Sequence, residues 1–319
     1  MDHGQGESTM RITVTGGSGF IGSHVVDHLL AAGHEVIVVD TQPPHRPDVV
    51  YRAGDVNDLS TLIKATAGSD AVFHLAAVSD VNDAHADPVG TMEVNVVGTA
   101  KVCEASRRNQ LKRTVLASTV WVYATAPGDG PIVEDAPLVP TRGAHVYTAS
   151  KIAAELVVSS FSELYGLEYT ILRYGIPFGP RMRRELVIPR FLQCARNEGK
   201  VTIHGDGLQF RNYLYVEDLA AAHVLALGPA SARQVFNLEG PAPVSIRRIA
   251  EMARELIDPD VEIEFVAARP GDYAGREVSS DKAARLLGWA PRISFEEGMR
   301  RYVEWWLAEE DPIERASSA

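Results

Sequence analysis

Cysteine is scarce in this sequence. Cys103 and Cys194 are the only two, too few for a disulfide framework and without the spacing of a zinc site. Positive charge is not in excess either: 31 Lys and Arg stand against 42 Asp and Glu, a net charge of -11. That balance excludes a general affinity for nucleic acid or anionic membranes, while leaving room for a local basic pocket. No apolar run reaches the roughly 18 residues that a membrane span needs. The start, Met1 to Thr9, is polar and lacks the apolar centre of a signal peptide. A cytoplasmic protein with a frayed N-terminal tail and no metal site is expected. Internal repeats, low-complexity stretches and long linkers are also lacking.

What is present is an ordinary globular composition. The chain has 319 residues, of which 45% are hydrophobic and 23% charged, enough for one large domain or two interlocked ones. Arg11 to Thr15 is a short β-rich run that ends in Gly16-Gly17-Ser18-Gly19-Phe20-Ile21-Gly22. A helical pattern follows, with Ile21, Val25, Val26, Leu29 and Leu30 on one face. Further apolar runs, Val36 to Val39, Ala71 to Phe73 and Arg113 to Leu116, alternate with helical stretches, notably 91–108. Alternation of this kind, with strands apolar on both faces, predicts a parallel sheet covered by helices. A long helix is expected from about Val146 to Leu164, then a strand from Tyr169 to Arg173. Helices near 187–198, 217–227, 245–256 and 295–307 and a hairpin-like stretch near 201–215 complete the pattern.

Gly16, Gly19 and Gly22 follow a strand and open a helix. A turn there brings backbone amides and the positive end of the helix dipole to a pyrophosphate, and Gly22 lets helix and sheet sit close. Asp40 ends the next strand, eighteen residues after Gly22. A carboxylate there accepts both ribose hydroxyls of an adenosine and repels a 2′-phosphate, which favours NAD over NADP. The other reading of Asp40 is a loop aspartate. Asp55 and Val56 fall where the third strand's exit meets adenine, or form a solvated turn.

Tyr147 and Lys151 stand at i and i+4, on one helix face. An ammonium beside a phenol lowers a pKa that starts near 10, giving a general acid–base group. The plain alternative is a surface pair. Thr119, at the end of the fourth run, offers a hydroxyl to join the substrate oxygen to Tyr147. Ser118 is adjacent, but strand neighbours face opposite ways, so only one reaches the reacting carbon. Either hydroxyl can instead cap the following turn.

The glycine turn, Asp40, His74-Leu75-Ala76-Ala77, Ser118-Thr119, Tyr147 to Lys151 and Leu172-Arg173-Tyr174 together resemble the extended short-chain dehydrogenase/reductases. The likeness is to their NAD-dependent nucleotide-sugar epimerase/dehydratase branch, of the UDP-glucose 4-epimerase type. It continues through Ile188 to Phe191, Gly205-Asp206-Gly207, Arg211-Asn212-Tyr213, Tyr215 to Asp218, Arg269 to Asp272 and Leu286 to Trp289. The resemblance implies an α/β fold: a Rossmann doubly wound parallel sheet with a smaller C-terminal α/β substrate domain. The expected division is 1–174 for the NAD-binding domain, with about 211–240 packing back onto it, and 175–210 plus 241–319 for substrate. A homodimer formed through the helices near 91–108 and 147–164 is also implied, the alternative for their apolar faces being packing onto the sheet. Cofactor contacts are implied for Gly16, Gly19, Phe20, Ile21, Gly22, Asp40, Asp55, Val56, Leu75, Ala76, Ala77, Asn95, Ser118, Tyr147, Lys151 and Tyr174. Thr119, Tyr147 and Lys151 would be catalytic.

For the substrate, a nucleotide-diphosphate sugar, the resemblance implies Ser79, Thr119, Trp121, Ile176, Arg183, Arg211, Arg269 and Asp272. Arg211 and Arg269 match diphosphate-gripping arginines, whose planar forks give two donors per phosphate. Asp272 matches a residue that holds the nucleoside ribose, or else caps a Pro-Gly turn. Arg183 matches an arginine of uronate-handling epimerases, or belongs to a solvated basic loop. The sequence departs from the family at three positions. Dehydratases of this kind carry an Asp-Glu pair after the catalytic threonine, where this chain has Val120 and Trp121, and decarboxylases often keep a glutamate at the place of Trp121. Trp121 either fills space or stacks on a sugar. Ile176 replaces an asparagine that holds the nucleotide sugar. What remains is a hydroxyl, a tyrosine, a lysine and NAD, the set that inverts C4 of an NDP-hexose, a UDP-sugar or a uronate among them, through a 4-keto intermediate. Other NAD-dependent oxidoreductase or dehydratase chemistry, or a non-catalytic NAD-binding regulator, is the alternative.

Overall fold

A computed structural model of the chain describes residues 9–124, 126, 130–138, 145–268 and 276–317. The first half alternates as the apolar runs require: β1 (Arg11–Thr15), α1 (Phe20–Ala31), β2 (Glu35–Asp40), β3 (Val50–Ala53), α2 (Leu59–Thr66) and β4 (Ala71–His74). Two short helices follow, α3 (Val81–Ala86) and α4 (Pro88–Met92). A π-helical turn, Glu93–Val97, joins α4 to α5 (Gly98–Arg108). Then come β5 (Arg113–Thr119), α6 (Val146–Tyr165), β6 (Tyr169–Tyr174) and β7 (Ile176–Phe178). The rest comprises α7 (Val187–Glu198), β8 (Lys200–His204), β9 (Phe210–Tyr215), α8 (Val216–Leu225), β10 (Gln234–Leu238), β11 (Pro243–Ser245), α9 (Ile246–Ile257), β12 (Glu262–Val266), α10 (Asp281–Leu287) and α11 (Phe295–Ser317).

Seven strands form one parallel sheet in the order β10-β6-β5-β4-β1-β2-β3. Neighbouring residues on its central strands bury into opposite cores. Phe73, Val115 and Leu172 join the cluster under α1 and α8, whereas Val72, Leu116 and Ile171 face α2, α5 and α6. This two-sided burial is the physical reason the runs read as continuously apolar. The chain order reverses between β1 and β4, and a crevice opens there beyond the carboxyl ends of the strands. Short polar caps end the loops that border it: Asp58 accepts the first amides of α2, and Asp80 those of α3.

A second core gathers Phe178, Ile188, Leu192, Val201, Ile203, Tyr213, Tyr215, Ile249, Phe295, Met299 and Trp306. The hairpin expected over 201–215 does not form. β8 pairs in parallel with β12, while β9 pairs with β7 and β11. Gly205 and Gly207, both at positive φ, turn the chain between β8 and β9 so that each strand buries its own face in this core. Within 211–240, β10 joins the main sheet but β9 does not. Ala283 and Trp289, from the C-terminal stretch, bury in the main-sheet core rather than in the second one. No helix among the described residues is long and apolar enough to cross a membrane.

Candidate active site

A cleft of about 800 Å³ runs along the carboxyl edge of the sheet. Gly16, at φ +73°, starts the turn after β1. A Cβ there would lie 2.5 Å from the Ala76 amide nitrogen, and one on Gly22 would lie 2.0 Å from the Gly16 carbonyl oxygen. Only glycine lets the turn, the loop after β4 and α1 approach this closely. Gly19 is the N-cap of α1 and offers no side chain to its amides, and the first turn has no acid. The amide end of the helix is left for an outside anion. At the end of β2 the Asp40 carboxylate accepts the Ser18 and Gln42 amides, each at 3.0 Å. It lines the cleft with Asp55 and Val56, and the Asp55 Oδ1 accepts the Asn57 amide at 2.8 Å. A glycine cradle, an uncapped helix and a carboxylate one strand over fit the pyrophosphate and ribose of a dinucleotide.

The other end of the cleft holds the reactive groups. Thr119 and Tyr174 are register partners at the ends of β5 and β6, and Tyr147 and Lys151 reach in from the first turns of α6. Thr119 and Tyr147 line the same stretch of cleft, and the Thr119 hydroxyl favours the phenolate of Tyr147. The Thr119 hydroxyl accepts the Trp121 amide at 3.2 Å, so it caps the following turn. Ser118 points the opposite way, donating to the carboxylate of buried Glu155. Its backbone borders the cleft while its side chain braces the strand. Glu155 is held in turn by the Arg173 guanidinium, Nε at 3.0 Å and Nη2 at 2.6 Å.

The expected lowering of the Tyr147 pKa does not occur in the protein as it stands. Desolvation dominates and pushes the phenol up to about 12, against the opposing effects of the Thr119 hydrogen bond and the Arg183 charge. The Lys151 ammonium donates to the Ala117 carbonyl at 3.1 Å and lies 6.0 Å from the Tyr147 ring centre. Burial lowers Lys151 to about 8, opposed by Glu155. Sharing a helix face put the two groups side by side, but burial dominates the shift of each.

Phe20, Ile21, Leu75, Ala76, Ala77, Ser79, Trp121, Ile176 and Arg183 line the same cleft. Trp121 meets His145 edge-on at 6.3 Å. Arg183 forms an ion pair with Asp80 at 3.1 Å, across the mouth of the cleft. Asn95 is not a lining residue. It sits in the π-helical turn, where its amide brackets the Val78 backbone at 2.8 and 2.9 Å and donates to Ser150 at 2.9 Å. These bonds order the loop after β4. Arg211 is also absent from the lining, and its guanidinium donates to the carbonyl of adjacent Phe210 at 2.6 Å. Arg269 and Asp272 lie outside the described residues.

Several participants escaped the sequence reading. Asp80 was visible only as one acid in a loop. Glu155, four residues after Lys151, carried an i+4 signal pointing to the same helix face. His74 was quoted only within a motif, yet its ring bridges the hydroxyls of Thr15 and Thr99, at 2.8 and 3.0 Å, beneath the cleft.

A dinucleotide cradle joined to a threonine–tyrosine–lysine cluster at the edge of a doubly wound sheet defines a short-chain dehydrogenase/reductase type of protein. The profile of the NAD dependent epimerase/dehydratase family matches residues 12–238, and the chain belongs to that family. It is 34% identical to a UDP-glucose 4-epimerase of Halalkalibacterium halodurans, over 94% of this chain and 96% of that one. Among solved structures, UDP-glucose 4-epimerase of Thermotoga maritima with UDP-glucose superposes with a TM-score of 0.85 at 30% identity, covering 94% of this chain and 99% of that one. A dTDP-glucose 4,6-dehydratase of Streptomyces venezuelae with NAD bound superposes with a TM-score of 0.84 at 30% identity, covering 94% and 97%.

Proposed function

We propose that this protein is an NAD-dependent epimerase that inverts C4 of a nucleotide-linked hexose. The observation that carries this reading is the convergence of Thr119, Tyr147 and Lys151 on the same cleft as the glycine cradle. Bound NAD supplies reversible hydride acceptance. Gly16, Gly19 and Gly22 hold its pyrophosphate, Asp40 holds the adenosine ribose and rejects a 2′-phosphate, and Lys151 holds the ribose nearest Tyr147. Thr119 orients the C4 oxygen, and Tyr147 takes its proton and later returns it to the same oxygen. Rotation of the 4-keto sugar between the two proton movements yields the epimer.

The likeness to a 4,6-dehydratase raises elimination as a second outcome. Val120 and Trp121, next to Thr119, carry no proton that a C5–C6 elimination could use, which supports stopping at epimerisation. Arg183, freed from Asp80, is the group placed to meet an anionic part of the substrate. Arg269 and Asp272 retain their diphosphate- and ribose-holding roles in this proposal, and Arg211 joins them by a change of rotamer.

The active form we propose is a cytoplasmic homodimer. Val89, Met92, Val97, Leu156, Leu164 and Tyr165 are exposed on the α4–α6 face, Leu164 to 72%. An apolar patch of this kind on neighbouring helices favours burial against a second copy. The chemistry is tested with UDP-glucose deuterated at C4. Retention of the label in UDP-galactose supports the reading; washout, stoichiometric NADH release or a dehydrated product overturns it.

A further inference from the structure

After β7 the chain turns sharply through Gly179, Pro180, Arg181 and Met182, and the Met182 amide closes the turn by donating to the Gly179 carbonyl at 3.2 Å. Arg181 has φ +69°. The proline ring forbids positive φ, so Pro180 at the second position followed by a left-handed third residue defines a type II turn. That third position ordinarily belongs to glycine, and an arginine there is strained. Strain of this kind persists only where the surroundings hold it.

Both ends of the turn are fixed. A Cβ on Gly179 would lie 2.7 Å from Val216 Cγ1 at the start of α8, and Met182 is buried in the second core. The middle is held by α1, where His24 and Asp27 stand three residues apart on one face. The His24 Nε2 lies 2.9 Å from the Pro180 carbonyl oxygen, which can only accept, so the ring donates. That carbonyl belongs to the central peptide of the turn, the group whose flip separates type II from type I. The Asp27 carboxylate takes the Arg181 Nη2 at 2.7 Å on one oxygen and the Arg46 Nη1 at 3.1 Å on the other. One helix therefore grips both the direction of the turn's peptide and the side chain of its strained residue. The grip lies between the two parts of the cleft. Phe20, the first residue of α1, lines the cleft beside the glycine cradle and meets His24 edge-on at 6.1 Å. Beyond the turn, Arg183 and Leu186 line the cleft, whereas Arg181 does not.

We propose that His24, Asp27 and Arg181 are positioning residues that lock the turn presenting Arg183 to the nucleotide sugar, so that the helix taking the cofactor pyrophosphate also sets the substrate wall. The inference rests on the nucleotide-sugar reading above for what Arg183 meets, and deepens it by assigning the groups that place Arg183. A flip of the Pro180–Arg181 peptide would redirect the chain two residues before Arg183. The Arg181 side chain holds a conformation that glycine adopts unaided, which separates this role from a direct effect of its charge on the substrate.

The test compares wild type, Arg181→Ala, Arg181→Gly and Arg183→Ala, all with NAD present and UDP-glucose as substrate. Alanine loses the ion pair and disfavours positive φ; glycine loses the ion pair and keeps the turn. For Arg181→Ala we expect KM to rise roughly tenfold, the size of one lost charged hydrogen bond, with kcat within about threefold. Arg181→Gly should recover most of the lost KM. Arg183→Ala should itself raise KM, and Arg181→Ala should add nothing to it. An unchanged KM in Arg181→Ala or in Arg183→Ala overturns the proposal. Equal losses in the alanine and glycine variants overturn it too, since the charge would then act directly, as do additive losses in the double variant. Should Arg181→Ala fail to fold, Asp27→Ala takes its place: KM should rise and be restored by adding Arg181→Gly, and no restoration overturns the proposal. Crystal structures of the two Arg181 variants give a readout independent of turnover. We expect negative φ at residue 181 and no Arg183–Asp80 pair in the alanine variant, with the wild-type turn in the glycine variant; a wild-type turn in both overturns the positioning. If the turn responds as expected but the wild type converts no nucleotide sugar, the epimerase reading falls and the placement of Arg183 stands.

Discussion

Adding NAD should change the ionisation of a single tyrosine by several pH units. Burial holds the Tyr147 phenol at about 12, so at about pH 7.5 roughly one molecule in thirty thousand carries the phenolate. Bringing that group to its working pH requires ~6 kcal/mol, at ~1.4 kcal/mol for each unit. One positive charge about 4 Å away in a partly solvated site contributes ~4 kcal/mol. Lys151 alone does not reach the requirement, since its ammonium is tied to the Ala117 carbonyl 3.1 Å away. Two charges do, the lysine turned toward the phenol and the cationic nicotinamide beside it. The assay is phenolate absorbance near 295 nm against pH, wild type minus Tyr147→Phe, with and without NAD. Without NAD we expect no Tyr147 step below about pH 11. With NAD the step should move several units toward neutrality, and Lys151→Met should forfeit about half of that movement. A Tyr147 step at about pH 6–8 in the protein without NAD would refute the reasoning, because the chain alone would then suffice to ionise it.

Four further outcomes are expected. Glu155→Gln breaks a buried ion pair with Arg173 and the brace on Ser118, which costs ~3–5 kcal/mol and should lower Tm by roughly 5–15 °C; a change within about one degree would show the pair to be neutral. Asp40→Asn should weaken NAD about tenfold and narrow the preference over NADP, as read by the two dissociation constants; an unchanged ratio would return Asp40 to a turn-stabilising role. Glu239 keeps a proton in the folded chain up to about 8 that an unfolded chain loses near 4.5. The folded state therefore binds more protons in this window, and stability falls as pH rises through it, by up to ~4–5 kcal/mol. Urea midpoints of wild type and Glu239→Gln should diverge from about pH 5 to pH 8, the variant gaining; parallel curves would contradict this. Leu156→Glu combined with Leu164→Glu should halve the sedimenting mass without lowering helix content, and an unchanged mass would locate any dimer contact elsewhere.

What the sequence disclosed follows from the reach of each interaction. The glycine turn was legible because part of its constraint is local: Gly22 is demanded by the Gly16 carbonyl within one strand–turn–helix unit, while Gly16 also answers to the backbone of Leu75 and Ala76. The central strands were legible because burial on both faces writes an unbroken apolar run. β8 and β9 looked like a hairpin because adjacency in sequence was the only cue, while the true partner of β8 is β12, sixty-two residues further on. The Tyr147–Lys151 spacing fixed their common face but carried no information on solvent, so the direction of the tyrosine shift came out reversed. Glu155 shares this limit. A polar residue in a helical pattern reads as surface until its partner, here Arg173, is brought in from another element.

The strand that completes the main sheet is the last of the seven to be synthesised. β6 ends at Tyr174, and its outer neighbour β10 does not begin until Gln234. A nascent chain must therefore carry β6 as an open edge, with Ile171 and Leu172 on its two faces, while α7, β8, β9 and α8 emerge. At ~5–20 residues per second that interval lasts several seconds. Unpaired edges of this kind recruit other strands, so polypeptides terminated between 174 and 238 should depend on chaperones and precipitate when overproduced.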